Sequence, residues 1–275
     1  MSISTSIPEQ TYGVLRKEHE ASELDMKASQ VRRLGYTIID SGYSAEKIQD
    51  ISKAFDAERS RYVSEWGFER LKSVNEAFTL RAPMLFGGPL FFELLENKNI
   101  INLLNMLISG KYILNQQNGV INPARESYSQ GVWHRDLPYQ HFVSDTPLAI
   151  NALFCVDDFT IANGSTFVLP ASHKTPEFPG DRYLAENSIQ IRAVAGQFIV
   201  LDCMVFHSGG LNQTDRDRRA VNHVYTIPYF KQQIKLANNI NPTPLSPFLR
   251  ELLGFSYVEP LSVSSYLNYR ELRNK

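Results

Sequence analysis

The sequence is poor in cysteine, carries almost no net charge and has no long hydrophobic run. Its two cysteines, Cys155 and Cys203, lie far apart, which argues against a disulfide framework or a cysteine-rich zinc site and is typical of a reducing compartment. The formal net charge of −1 gives no general attraction to nucleic acid or to an anionic membrane. No stretch approaches the roughly 18 apolar residues of a membrane span, and the opening MSISTSIPEQ lacks a secretory leader pattern. We therefore expect a cytoplasmic protein that binds neither nucleic acid nor membrane.

The chain is long enough for one large domain, and a hydrophobic content of 43% in 275 residues suffices for a core. We expect a single domain over residues 1–275, and the sequence gives no indication of its oligomeric state. The residue composition and pattern change along the chain and predict four parts. These are a polar lead-in over 1–34, a mostly helical buttress over 35–110, a β-rich core over 111–230 and a C-terminal extension over 231–275.

The buttress is predicted to hold one strand and two helical regions. GYTIID, residues 35–40, predicts the strand. Ser44 can cap the first helix, and the second region begins at Pro89 and ends near Gly110. The first helix is indicated by apolar residues that recur on one helical face: Ile48, Ile51, Phe55 and Tyr62.

Short β-rich runs alternate with turn residues after Gly110. The absence of long helices between them favours a sandwich or barrel over a doubly wound sheet, and so a mainly β fold with flanking helices. The predicted strands are residues 111–117, 131–137, 148–156, 164–170, 188–194, 196–202, 203–208 and 220–230.

WHRDLPY, residues 133–139, places a histidine two residues before an aspartate. On a strand, His134 and Asp136 share one face while Arg135 points to the other. Such a triplet is common on protein surfaces, so a metal site needs a third ligand from elsewhere. His207, in a β-rich segment closed by two glycines, is the best candidate. Two histidines and one carboxylate form a facial triad with open coordination positions, which suits non-haem Fe(II) enzymes.

Arg218 follows His207 by eleven residues and opens the next β-rich run. A guanidinium there can form bidentate, charge-assisted hydrogen bonds with a carboxylate, a geometry that lysine does not reproduce. The adjacent Arg219 competes for this role.

These motifs together resemble the phytanoyl-CoA dioxygenase family of Fe(II)/2-oxoglutarate-dependent oxygenases. The resemblance is carried by WHRDLPY, INALFCVDDFTIANGSTFVLPASHK and VFHSGGLNQTDRDRRAVN, and it extends over most of residues 35–270. It implies a double-stranded β-helix core, the jelly-roll or cupin-like fold. It also implies Fe(II) as cofactor, 2-oxoglutarate as co-substrate, O₂, and a small-molecule substrate.

The resemblance also assigns roles to single residues. His134, Asp136 and His207 match the iron ligands, and Arg218 matches the arginine that binds 2-oxoglutarate. Three further polar side chains match positions near the co-substrate: Thr166, Asn151 and Gln117, with Asn115 as the alternative to Gln117. Thr166 and Asn151 can equally serve backbone or loop groups. Gly209 departs from the family pattern, because relatives often have a serine there whose hydroxyl contacts the co-substrate.

The substrate is expected to meet aromatic and histidine side chains near the metal: Tyr139, His141, His223 and Phe78. For His223, a packed and hydrogen-bonded place in the core is the alternative.

The implied reaction is oxidative decarboxylation of 2-oxoglutarate to succinate and CO₂, coupled to hydroxylation of an unactivated C–H bond in a small or medium organic molecule, as in specialised metabolism. Desaturation, cyclisation and epimerisation use the same triad and stay open, whereas the intact Asp136 disfavours halogenation. An oxygenase that needs no 2-oxoglutarate and a non-catalytic jelly-roll binding protein are the remaining alternatives. Production of succinate distinguishes them from the main hypothesis.

Overall fold

The computed structural model of the protein describes residues 11–15, 22–137 and 143–273. Within these ranges the chain forms two antiparallel sheets with helices packed against the larger one. The strands are β1 (Tyr36–Asp40), β2 (Thr79–Arg81), β3 (Ile113–Asn122), β4 (Ala149–Cys155), β5 (Thr166–Val168), β6 (Ile189–Gln190), β7 (Gln197–Asp202), β8 (His207–Gly209) and β9 (Arg218–Thr226).

The larger sheet has the order β1-β7-β4-β9-β3-β2 and the smaller one the order β6-β5-β8. The prediction of a mainly β fold with flanking helices is therefore confirmed. The helices are α1 (Glu23–Leu34), α2 (Ala45–Trp66), α3 (Phe68–Ser73), α4 (Pro89–Leu95), α5 (Lys98–Leu107), α6 (Asp181–Asn187), α7 (Pro247–Leu252) and α8 (Val263–Arg273). No helix in the described ranges has both the length and the apolar character needed to cross a membrane.

Alternation along the strands divides the core into two layers. In β7, Phe198 and Val200 belong to the main hydrophobic core with the helices. Ile199 and Leu201 face the other way and pack with Val168 of β5 between the two sheets. Side chains on this inner face can reach the space between the sheets, and those on the outer face lie under the helices.

The large sheet extends beyond the predicted β core of residues 111–230. β1 pairs with β7, and β2 pairs with β3, so the helical buttress supplies both edge strands. The predicted lead-in contains α1, which begins with a capping box between Ser22 and Asp25 and buries Ala28 and Val31 completely. This helix is an integral part of the core.

Three of the predicted strands differ most in extent from those observed. Residues 131–137 are irregular apart from one bridge between His134 and His207. Residues 203–206 form a turn, because the side chain of Asp202 accepts a hydrogen bond from the backbone N–H of Met204 (2.9 Å) and so diverts the chain. Of residues 188–194, only Ile189–Gln190 forms a strand.

Gly35 ends α1 in the left-handed conformation, with φ of 83°, close to the turn at residues 203–206. A Cβ there would lie 2.7 Å from Nδ1 of His173 and 2.9 Å from Cγ2 of Val205. We expect Gly35→Ala to lower the free energy of unfolding by about 2–4 kcal/mol, because backbone strain and overpacking combine. Urea denaturation measures the loss.

Gly110→Ala is the matched control, because Gly110 has φ of 88° and no heavy atom within 4 Å of the Cβ position. Backbone strain alone should cost about 1 kcal/mol there. Equal losses in the two variants would show that the contacts of Gly35 contribute nothing.

Candidate metal centre and active site

His134, Asp136 and His207 meet at a cavity between the two sheets. Nε2 of His134 lies 3.9 Å, and Nε2 of His207 lies 3.6 Å, from Oδ1 of Asp136. The two imidazole ring centroids are 4.3 Å apart. One potential ligand atom from each residue lies within 4.8 Å of the others, a spacing that allows a single metal ion to be bound.

A two-residue bridge brings the histidines together although His134 lies outside a regular strand. The backbone N–H of His134 donates to the carbonyl of His207 (2.9 Å), and the N–H of His207 donates to the carbonyl of His134 (3.1 Å). In such a reciprocal antiparallel pair the two side chains project to the same side. The backbone therefore sets both rings side by side.

Backbone carbonyls also orient the two rings. Nδ1 of His134 lies 2.8 Å from the carbonyl oxygen of Val132, and Nδ1 of His207 lies 3.1 Å from that of Val205. Because a carbonyl only accepts, each Nδ1 carries a proton, and Nε2 of the neutral ring keeps its lone pair for a metal. Burial lowers the pKa of His207, which favours the neutral form, while the charge of Asp136 acts in the opposite direction.

The two oxygens of the Asp136 carboxylate have different neighbours. Oδ1 faces the histidines, and Oδ2 accepts a hydrogen bond from Nδ2 of Asn151 (2.6 Å). Asn151, expected near the co-substrate, thus contacts a candidate metal ligand directly. Its Oδ1 is buried without a partner among the described residues, and the residue borders the cavity.

Arg135 fixes the irregular ligand segment from behind. Its side chain is buried, lies 3.9 Å from the ring centroid of Phe206, and donates to the carbonyls of Met204 (2.7 Å), Ser172 (3.0 Å) and Pro176 (3.1 Å). It thereby joins the His134–Asp136 segment to the turn that precedes His207. The sequence placed Arg135 opposite the ligands but gave no sign of this role, since every residue has a carbonyl.

Arg218 lies at the start of β9 on the inner face, beside the triad. It is 4% exposed, and its guanidinium carbon lies 3.8 Å from the ring centroid of Phe159. Nε and Nη1 are buried without a partner among the described residues, and Nη2 lies 3.4 Å from the hydroxyl of Tyr128. Burial lowers the pKa of Arg218. A buried cation with unpaired donors is costly, so this end of the cavity suits an anion.

Arg219 lies on the outer face of β9, where its guanidinium contacts other side chains of the fold. Its guanidinium forms ion pairs with Asp157 (2.6 Å) and Asp56 (2.7 Å), and it also donates to the hydroxyl of Ser52 (2.9 Å). These contacts remove Arg219 as a competitor for the role of Arg218. Thr166, in contrast, is buried and lines the cavity.

The expected contact of Gln117 with the co-substrate is corrected by the structure. Gln117 is completely buried on the helix side of the large sheet. Its Nε2 donates to the carbonyl of Phe91 (2.8 Å), and its Oε1 accepts from the N–H of Met84 (2.9 Å). A register shift in β3 precedes it, and its neighbours Gln116 and Asn118 face the cavity instead. Asn115, the alternative, also borders the cavity.

His223 is likewise a core residue and not part of the substrate cavity. It pairs with Gln117 in register, and its Nε2 lies 3.0 Å from Nε2 of Gln117. Its Nδ1 lies 2.9 Å from the carbonyl oxygen of Ala152 and therefore carries the proton. Burial lowers the pKa of His223 to about 4, so the ring is neutral. The physical reason is alternation, since Arg218 and His223 are five residues apart on one strand.

The expected contact of Phe78 with the substrate is also corrected by the structure. Phe78 packs against the main hydrophobic core, whereas Arg81, three residues later, borders the cavity. Tyr139 and His141 lie outside the described residues.

The cavity has a volume of about 570 Å³. Part of its lining was not predicted from the sequence. Around the triad it is also lined by polar side chains that sequence reasoning did not assign: Gln116, Asn118, Tyr128, Gln130, Asn222, Lys231 and Gln233. Asn222 could have been found, because it lies four residues from Arg218 on the same strand and so on the same face. Tyr128 precedes the short turn Ser129–Gly131, and Gln130 lies in it. This segment has no hydrophobic periodicity, so the sequence did not indicate that either residue faces the cavity.

Comparison with known proteins agrees with this site. Residues 31–220 match the profile of the phytanoyl-CoA dioxygenase (PhyH) family. The uncharacterized protein Rv1501 of Mycobacterium tuberculosis is 31% identical over 223 residues, which cover 79% of this chain and 81% of that protein. Dioxygenase af480 of Aspergillus fumigatus is 27% identical over 179 residues, which cover 60% of this chain and 55% of that protein.

Solved structures show the same fold. EctD from S. alaskensis, crystallised with 2-oxoglutarate and 5-hydroxyectoine, superposes with a TM-score of 0.62 at 19% identity over 74% of this chain and 76% of its own. The epimerase SnoN of nogalamycin biosynthesis gives a TM-score of 0.59 at 20% identity over 87% of this chain and 90% of its own. The two packed sheets are therefore a jelly roll.

Fold, donor set and family together define the class of 2-oxoglutarate-dependent non-haem iron dioxygenases, which use iron, 2-oxoglutarate and O₂. The chain belongs to the phytanoyl-CoA dioxygenase family.

The place of Gln117 in the core can be tested by substitution. Gln117→Leu should lower the free energy of unfolding by about 2–4 kcal/mol, because it leaves the N–H of Met84, the carbonyl of Phe91 and Nε2 of His223 without their partner. Gln116→Leu, on the neighbouring cavity-facing residue, should change it by less than about 1 kcal/mol. Denaturant unfolding measures both variants. A stable Gln117→Leu protein with weakened 2-oxoglutarate binding would return Gln117 to the co-substrate site.

Proposed function

We propose that this enzyme hydroxylates an unactivated C–H bond of a small or medium, polar organic molecule while 2-oxoglutarate is oxidatively decarboxylated to succinate and CO₂. The observation that carries this proposal is the buried guanidinium of Arg218, whose Nε and Nη1 have no partner among the described residues, on the same cavity as the His134–Asp136–His207 cluster. When bound, iron and 2-oxoglutarate would activate O₂, the oxidant, which provides one oxygen atom to succinate and one to the product.

Three side chains of the cluster would bind the iron, and others would hold them in position. His134, Asp136 and His207 would hold the iron from one side, with both rings fixed by backbone carbonyls and the carboxylate fixed by Asn151. A facial set of three ligands leaves positions for the co-substrate and O₂.

The anion-binding end would take the remote carboxylate of 2-oxoglutarate. Nε and Nη1 of Arg218, which have no partner among the described residues, are donors available to a carboxylate, and the hydroxyl of Thr166 borders the same cavity. Phe159, stacked on the guanidinium, keeps water from one face of the pair and so strengthens it.

The rest of the wall supports a polar substrate. The amide oxygens of Gln130 and Asn222 are buried without a partner among the described residues, and both residues border the cavity. Buried amides of this kind call for hydrogen-bonding groups on the ligand, such as hydroxyls. Leu137, Leu153 and Phe230 add apolar surface for a carbon skeleton.

A role in specialised metabolism is supported by the relatives, among them an epimerase of nogalamycin biosynthesis. That neighbour also keeps epimerisation as the specific second candidate, and desaturation and cyclisation use the same triad. Mass analysis separates the outcomes, because only hydroxylation adds one oxygen atom to the product. The free, buried Cys155 and Cys203 support the proposal of a reducing, cytoplasmic location.

Anaerobic addition of Fe(II) and 2-oxoglutarate is expected to give the visible charge-transfer band of the chelate in the parent protein. Asp136→Ala and His207→Ala should abolish the band and the release of succinate, because each removes one of three candidate ligands. His173→Gln, a histidine outside the cluster, should retain both. A parent protein without the band would remove the proposed function.

Arg218→Met should weaken 2-oxoglutarate binding by about 30-fold to 1,000-fold, as expected for a lost charge-assisted pair. Arg219→Met is the matched control: it removes the same charge one residue away but should lower stability and leave the affinity unchanged, because Arg219 pairs with Asp157 and Asp56. Titration of the absorption band measures both affinities. The reverse pattern would assign the co-substrate to Arg219.

A further inference from the structure

Tyr128 enters the anion-binding end of the cavity from outside the sheets. It precedes the short turn Ser129–Gly131, and its half-buried side chain borders the same cavity as Thr166 and Arg218. Its hydroxyl lies 3.4 Å from Nη2 of Arg218. The ring thus reaches the guanidinium that the proposed function assigns to 2-oxoglutarate.

The hydroxyl of Tyr128 occupies the space that a side chain at position 209 would need. A Cβ built on Gly209 overlaps this hydroxyl and lies 2.7 Å from the ring carbon that bears it. Gly209 stands two residues after His207 and opposite Thr166 in the register of β5 and β8. Glycine at this position therefore has a steric reason, which is the approach of Tyr128.

The polarity of the contact leaves one hydrogen free. A guanidinium has donors only, so the oxygen of Tyr128 accepts from Nη2, and its own hydrogen is available to another acceptor. Burial raises the pKa of Tyr128, while Arg218 acts in the opposite direction, so the hydroxyl stays protonated near neutral pH. Nε and Nη1 of Arg218 have no partner among the described residues, so the hydroxyl adds a third donor at this guanidinium.

We propose that Tyr128 donates its hydroxyl hydrogen to the carboxylate of 2-oxoglutarate that Arg218 binds, and that Gly209 is glycine in order to admit this hydroxyl. This inference rests on the proposed function, because it takes 2-oxoglutarate as the anion.

Calorimetric titration of the Mn(II)-loaded protein with 2-oxoglutarate tests the contact without turnover. Tyr128→Phe keeps the ring and should weaken binding by about tenfold, the effect of one hydrogen bond to a charged group. Tyr229→Phe, at an exposed tyrosine, should bind like the parent. Thermal unfolding should be the same in both variants, which excludes a general loss of structure.

A second pair of variants tests the relation between the two positions. Gly209→Ser alone should weaken binding, because its side chain overlaps with Tyr128. In a Tyr128→Ala background the space is vacated, so Gly209→Ser should strengthen binding by returning a hydroxyl to the same place. A change of sign between the two backgrounds supports the proposal, and the same loss in both overturns it.

Two different results would contradict the proposed function and the role of Tyr128. If the parent protein does not bind 2-oxoglutarate, both the proposed function and this inference are wrong. If the parent binds and Tyr128→Phe binds equally well, only the inference is overturned, and Tyr128 merely fills the space above Gly209.

Discussion

The two reciprocal backbone hydrogen bonds between His134 and His207 are the constraint on which the site depends. They set two imidazoles on one side of an antiparallel pair, although the segment around His134 is too irregular to be a strand. Asp136 follows because it is two residues away, and Arg135 holds the segment from behind through four backbone carbonyls. A metal site built this way needs the backbone pair first, since the side chains alone have no reason to meet.

Strand alternation decides which polar residues reach this site, and it also decides what the sequence could predict. His134, Asp136, His207 and Arg218 were predicted because their spacing and their residue types point to one chemistry. Gln117 was misplaced because Asn115 to Asn118 is a run of four amides, so polarity does not distinguish the two faces of β3, and a register shift alters the phase. His223 was left open although its odd separation from Arg218 already placed it on the outer face.

The remaining features depend on contacts that leave no pattern in a single sequence. Arg135 binds backbone carbonyls, and Tyr128 reaches Arg218 from a segment without periodicity. The turn at residues 203–206 interrupts an apolar run that favours a strand, because the side chain of Asp202 accepts from the N–H of Met204. In each case the decisive partner is a backbone group or a residue distant in sequence, so local propensity was overridden by tertiary structure.

Arg218 and Arg219 differ in their surroundings, because one face of β9 supplies carboxylates from within the fold and the other, to which we assign binding, supplies none that pairs with Arg218 in the part of the chain that the structure describes. Arg219 has its carboxylates within the fold, so its charge is neutralised before any ligand arrives. Arg218 has Phe159 and a tyrosine hydroxyl but no carboxylate among the described residues, and its desolvation is offset only when an anion binds. Arg218 stands on β9 of the larger sheet and Thr166 on β5 of the smaller one, and each is held in place by hydrogen bonds to neighbouring strands. Gln130, Lys231 and Gln233 of the polar wall lie outside the strands, where substitutions disturb the sheets least and can change the substrate without changing the chemistry.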